Sequence, residues 1–105
     1  MNNMSKKRVM SLLGLATRAR KVVSGDDTTL QDLKKGKVDL VIVATDASDN
    51  TKKLFRDKSS FRNIKMVEYG TKEEIGNAIG KDFRAVIGIE DKGFAKKIVE
   101  LIEEI

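Results

Sequence analysis

The chain has 105 residues, 40% hydrophobic, 35% charged and 5% aromatic, with no Cys, His, Trp or Pro. That length allows one small domain with a single core and little room for a deep enclosed cavity. The missing side chains exclude a disulfide, a Cys/His zinc site and any Ser–His or Cys–His catalytic pair.

Lys and Arg exceed Asp and Glu by 21 to 16, a net charge of +5. Lys6, Lys7, Arg8, Arg18, Arg20 and Lys21 all fall within residues 1–25, which hold no acid. Such a basic edge fits a polyanion, RNA or DNA before an anionic membrane; the alternative is a solvated helix face. No apolar run approaches the ~18–20 residues of a membrane span, and no signal-peptide core opens the chain. A soluble cytoplasmic domain is the expectation.

Val9, Leu12, Leu13 and Ala16 recur at i, i+3, i+4 and i+7, one face of a helix ending near Thr17. Lys21–Ser24 is a short β-prone stretch. Gly25-Asp26-Asp27 follows, with an Asp placed to cap a helix carrying Leu30 and Leu33. Lys34 and Lys35 suit its last turn, and Gly36 its end. Val38–Thr45 reads as a strand, and the unalternating Leu40–Ala44 run predicts burial on both faces. Ser48 or Asn50 can cap a third helix carrying Leu54 and Phe55.

Ile64–Tyr69 reads as another full strand. Thr71 and Glu74 form a capping box opening a helix with Ile75, Ala78 and Ile79 inward, ended by Gly80. Ala85–Ile89 is a further strand, and Phe94, Ile98, Leu101, Ile102 and Ile105 share one stripe of a last helix. The order α-β-α-β-α-β-α-β-α predicts an α/β/α sandwich around a mixed or parallel sheet.

Two patterns invite chemistry and lose it. Gly76–Lys81 has a Walker-like look, but one residue too few separates its glycines, and Asp82 stands where Ser or Thr must hold the metal. The acidic pairs Asp46/Asp49, Glu73/Glu74 and Glu90/Asp91 sit near strand ends or helix starts. There capping and the helix dipole explain carboxylates without a metal.

Three stretches acquire meaning together: Leu12–Lys21 leading to Ser24-Gly25, Val38–Ser48, and Ile75–Lys81. In order and spacing the chain resembles the L-seven-Ae/L-thirty-e ribosomal protein family, most closely its bacterial YlxQ-like branch, from about Arg8 to Leu101. The resemblance implies a three-layer sandwich with a central four-stranded mixed sheet. It also implies binding of structured RNA, often the kink-turn, a bent internal loop with tandem sheared G·A pairs.

In well-studied kink-turn binders the turn after the first strand reads Gly-Thr-Asn-Glu, with a Lys three residues later. Here Gly25 matches the Gly, while Asp26, Asp27, Thr28 and Gln31 stand at the other positions. By that correspondence these five residues are the candidate recognition turn. The resemblance also places an RNA-packing loop at Lys81-Asp82-Phe83-Arg84. There Phe83 either stacks on a splayed base between the cations Lys81 and Arg84, or points inward as core. Arg18, Arg20 and Lys21 precede the Gly25 turn and are expected to add phosphate contacts to the same edge.

The implied function is non-enzymatic recognition of structured RNA in the translation machinery, by a monomer with no cofactor and no small-molecule substrate. The acidic Gly25-Asp26-Asp27 turn motivates a second reading: a protein–protein module that keeps the fold without RNA binding.

Overall fold

A computed structural model of the chain describes residues 3–103. Its helices are α1 (Asn3–Arg18), α2 (Asp26–Lys34), α3 (Asp49–Phe61), α4 (Lys72–Ala78) and α5 (Lys92–Ile102). They alternate with strands β1 (Val22–Ser24), β2 (Leu40–Val43), β3 (Lys65–Glu68) and β4 (Val86–Ile89), in the order expected.

The unalternating run becomes β2, and β2 and β4 are the two fully buried strands. They lie side by side at the centre of a sheet ordered β1-β4-β2-β3. The sheet is mixed. β2 and β3 run parallel, with Leu40 opposite Lys65, whereas β4 is antiparallel to both β1 and β2. α1, α4 and α5 pack together on one face, and α2 with α3 on the other. Fully buried Leu13, Leu33, Phe55, Ile75 and Ile98 bring every helix into the core. Each contributes about 1.5–3 kcal/mol of apolar burial.

Local chemistry sets most boundaries. Ser48 rather than Asn50 caps α3, accepting from the Thr51 N–H at 3.1 Å. The Thr71–Glu74 capping box is complete in both directions, and Gly80 leaves α4 at φ 73°. Asp91 caps α5, accepting from the Phe94 N–H at 2.8 Å. Asp46 Oδ1 accepts from the Lys72 N–H at 2.9 Å, so the acidic pairs do include helix-start groups.

Several expectations need correction. The expected Val38–Thr45 and Ile64–Tyr69 strands shorten to four residues each, and the latter is a half-buried edge strand. Of the two apolar residues read on the third helix, Phe55 is buried with Ser59 and Leu54 is 36% exposed. α2 has no Asp cap: its N-cap is Gly25, and both Asp residues already lie in the first helical turn. Ile105, expected on the α5 stripe, lies outside the described residues.

Candidate nucleic-acid interface

β1 is an edge strand, and its end delivers the chain to Gly25 at φ 92°, ψ 157°. That positive φ costs a side-chain-bearing residue about 1–2 kcal/mol and costs glycine nothing comparable. A Cβ built on Gly25 would meet nothing within 4 Å, so the space before the turn is open. No side chain caps α2, in contrast to Ser48, Thr71 and Asp91 on α3, α4 and α5. The first N–H groups of α2 therefore face outward, as an anion or a guanine carbonyl oxygen requires.

Asp26, Asp27, Thr28 and Gln31 are all exposed on α2. Asp27 and Gln31 are four residues apart, and Thr28 and Gln31 three, so they share one helix face beside the Gly25 turn. Both Asp carboxylates suit the positive end of the helix dipole, while they repel phosphate at close range.

The Lys81–Arg84 loop arrives at the same place from the far side of the sheet. Gly76 sets its path: a Cβ there would collide with the Asp82 carbonyl oxygen. This close backbone contact explains the glycine and leaves the Gly76–Lys81 stretch no phosphate-cradling loop. The Lys81 N–H donates to the Gly76 carbonyl at 2.8 Å, and the Arg84 N–H to that of Lys72 at 3.1 Å. The Arg84 guanidinium then spans to β1, with Nε donating to Ser24 Oγ at 3.3 Å and Nη1 to the Phe83 carbonyl at 2.9 Å. One residue on, the Gly25 N–H donates to the Val86 carbonyl at 3.0 Å. Phe83 stands 66% exposed, so it is not core. Ser24 is the residue sequence reasoning missed, and its partner lies 60 positions away.

Arg18, Arg20 and Lys21 lie elsewhere. Arg20, at φ 61°, makes the turn out of α1, and the Lys21 carbonyl accepts from the Glu90 N–H at 2.7 Å, beyond the opposite end of β1. Gly25 lies four positions after Lys21, about 13 Å of extended chain. Arg18 lines a groove between α1 and α4 with Met10, Gly14, Leu15 and Ala78. These cations thus extend the edge instead of joining the Gly25 turn.

One acid near this basic end, at the end of β4, stands apart. Glu90 caps nothing. Its Oε2 is buried without a hydrogen-bond donor, and burial together with the facing Asp32 carboxyl pushes its pKa up to about 7, with Asp39 adding and Lys37 opposing. Asp32 lies on α2, so no local pattern announces the pair. No group of three or more acidic residues suited to a metal occurs among the described residues, and no helix there is long and apolar enough to cross a membrane.

Residues 7–99 match the model of the Ribosomal protein L7Ae/L30e/S12e/Gadd45 family. The chain is 47% identical over 103 residues to a protein of Enterococcus faecium described as RNA-binding protein YlxQ, covering 98% of this chain and 99% of that one. It is 39% identical over 90 residues to the large ribosomal subunit protein eL30 of Sulfolobus acidocaldarius, covering 84% and 86%. A solved structure of a Bacillus halodurans protein of unknown function superposes with a TM-score of 0.89 at 42% identity, covering 91% of this chain and 97% of that one.

Proposed function

Because the chain belongs to the L7Ae/L30e/S12e/Gadd45 ribosomal protein family, we propose that it is a non-enzymatic RNA-binding protein of the translation machinery. Its ligand in this reading is a kink-turn or a related internal loop, bound by a monomer without a cofactor. The observation that carries the reading is the uncapped Gly25 start of α2 set beside exposed Phe83, with the Arg84–Ser24 hydrogen bond joining the two.

The division of labour follows from chemistry. Arg18, Arg20, Lys21 and Lys81 attract the backbone, as counterion release favours. The N–H groups of Asp26, Asp27 and Thr28, at the uncapped start of α2, meet phosphate or guanine O6. Asp27 accepts from a base amino group, and Gln31 both donates and accepts. Phe83 stacks on a splayed base, and Arg84 holds that loop in place.

The test is discrimination between a kink-turn RNA and a duplex of equal length. Asp27→Asn adds a donor and removes a repulsive charge, so it is expected to strengthen kink-turn binding more than duplex binding. If the native protein shows no preference and Asp27→Asn creates none, the turn is not a recognition element. The protein–protein reading, favoured by the two carboxylates at Asp26 and Asp27, then replaces it.

A further inference from the structure

A second basic surface lies on the other flank of α1. Lys7, Arg8, Ser11 and Leu12 of α1, with Lys97 and Leu101 of α5, line a groove of about 450 Å³. It contains none of the residues of the Gly25 turn, the Lys81–Arg84 loop or the Arg18–Lys21 segment, although Lys7 and Arg8 belong to the same basic stretch of sequence. We propose that this groove docks an acidic, leucine-bearing helical segment of a partner protein.

Three observations converge on that chemistry. Lys7, Arg8 and Lys97 are exposed and make no ion pair among the described residues, whereas their neighbour Lys6 is held by Glu74 at 2.7 Å. The described acids of α5 and its C-cap are turned away: Glu100 lines a different groove, and Glu103 pairs with Lys65 at 2.6 Å. Among the described residues the groove therefore holds three positive charges and no lining acid. Its floor, however, is apolar, formed by Leu12 and Leu101.

A nucleic-acid backbone satisfies the cations and leaves the leucine floor unmatched. A segment with apolar anchors every three or four residues and carboxylates between them satisfies both, in the manner of a helix laid in a groove. The surrounding charge sets its orientation and excludes basic competitors.

The experiment uses the full chain and a fluorescein-labelled 12-residue peptide with Leu at every third or fourth position and Glu between. The expected result is saturable binding, with amide shifts concentrated on residues 7–12 and 97–101. The double variant Lys7→Glu/Lys97→Glu should weaken it about tenfold or more, equivalent to about 1.4 kcal/mol. A peptide with Ser in place of Leu should lose a comparable amount. At about 0.15 M salt, where screening acts within ~8 Å, the double variant should bind kink-turn RNA nearly as the native protein does.

Four outcomes overturn the proposal: no saturable binding, shifts confined to the β1 edge, equal affinity for the Ser peptide, or an equal loss of RNA affinity. The last would make the groove part of the RNA surface. Should charge reversal impair folding, Lys7→Gln/Lys97→Gln makes the same comparison. Failure of RNA binding alone leaves the peptide result standing, so the two readings fail separately.

Discussion

The two edges of the sheet are built from the same kinds of residue and treat their cations in opposite ways. On the β3 side, Glu68 takes both Lys52 and Arg56, Asp57 takes Lys53, and Glu103 takes Lys65. On the β1 side, Arg18, Arg20, Lys21, Lys81 and Arg84 make no ion pair among the described residues. Exposed pairs of this kind add only about 0–1 kcal/mol each to stability. Their main consequence is different: they neutralise one edge and leave the positive field on the other. Charges on β3 also discourage strand addition at that edge. A net charge of +5 thus understates the polarity of the molecule, because placement decides which cations a partner meets.

The largest expected effect tests this contrast directly. Replacing Arg18, Arg20 and Lys21 by Ala should flatten the log–log salt dependence of RNA affinity by about 2, since each phosphate contact contributes roughly 0.7–0.9. Replacing Lys53, Arg56 and Lys65 removes the same net charge and should leave the slope nearly unchanged. Equal slopes for the two triple variants would reduce the contrast to net charge alone.

An aromatic pair sharpens it. Phe83→Ala should weaken RNA binding by about 1–3 kcal/mol, as for a lost base stack, with the melting temperature held. Phe61, at the end of α3 on the β3 side, is 82% exposed with the Arg62 guanidinium 5.4 Å from its ring centre. Phe61→Ala should leave RNA affinity unaltered. A loss at Phe61 matching that at Phe83 would move the binding surface around the molecule.

Gly76→Ala probes what supports the β1 side. Helix propensity alone favours Ala by about 1 kcal/mol, yet the new methyl meets the backbone of Asp82, which cannot swing aside. Overpacking of about 1–3 kcal/mol should win, lowering the melting temperature and the RNA affinity together. A rise in melting temperature would show that the loop is not pinned there.

The smallest effect concerns pH. Glu90 keeps its proton in the folded state to about pH 7, and the unfolded chain releases it near the ordinary value of 4.5. A raised acid pKa means the native state binds the extra proton. Stability from this group is therefore present at low pH and lost as pH rises from about 4.5 through 7. Glu90→Gln should match the native melting temperature near pH 4.5 and exceed it progressively toward pH 8. A constant offset across that range would remove the Asp32–Glu90 interaction from the argument.

How much of this was legible depends on the range of the interaction responsible. The Val9–Ala16 spacing, the Leu40–Ala44 run and the Thr71–Glu74 box are local patterns, and helices and strands answer to local patterns through backbone geometry and capping. Element order, the α/β/α class and the family resemblance followed from the chain alone. Boundaries slipped where local preference was weak, as at the ends of β2 and of the half-buried β3. At α2, Gly25 could adopt the backbone that starts the helix without an Asp cap.

The tertiary structure decided what depends on strand order. Only the pairing of β1 with β4 brings Ser24 to Arg84 and sets Phe83 beside the Gly25 turn in solvent; a Phe between two cations reads equally well as core. The same pairing puts Lys21 at the far end of β1 from Gly25, although the two are close in sequence. Which lysines find a carboxylate, and why Glu90 holds its proton, likewise turn on helices meeting across the fold. Charge and exposure are properties of a surface, and a surface exists only once distant segments have packed.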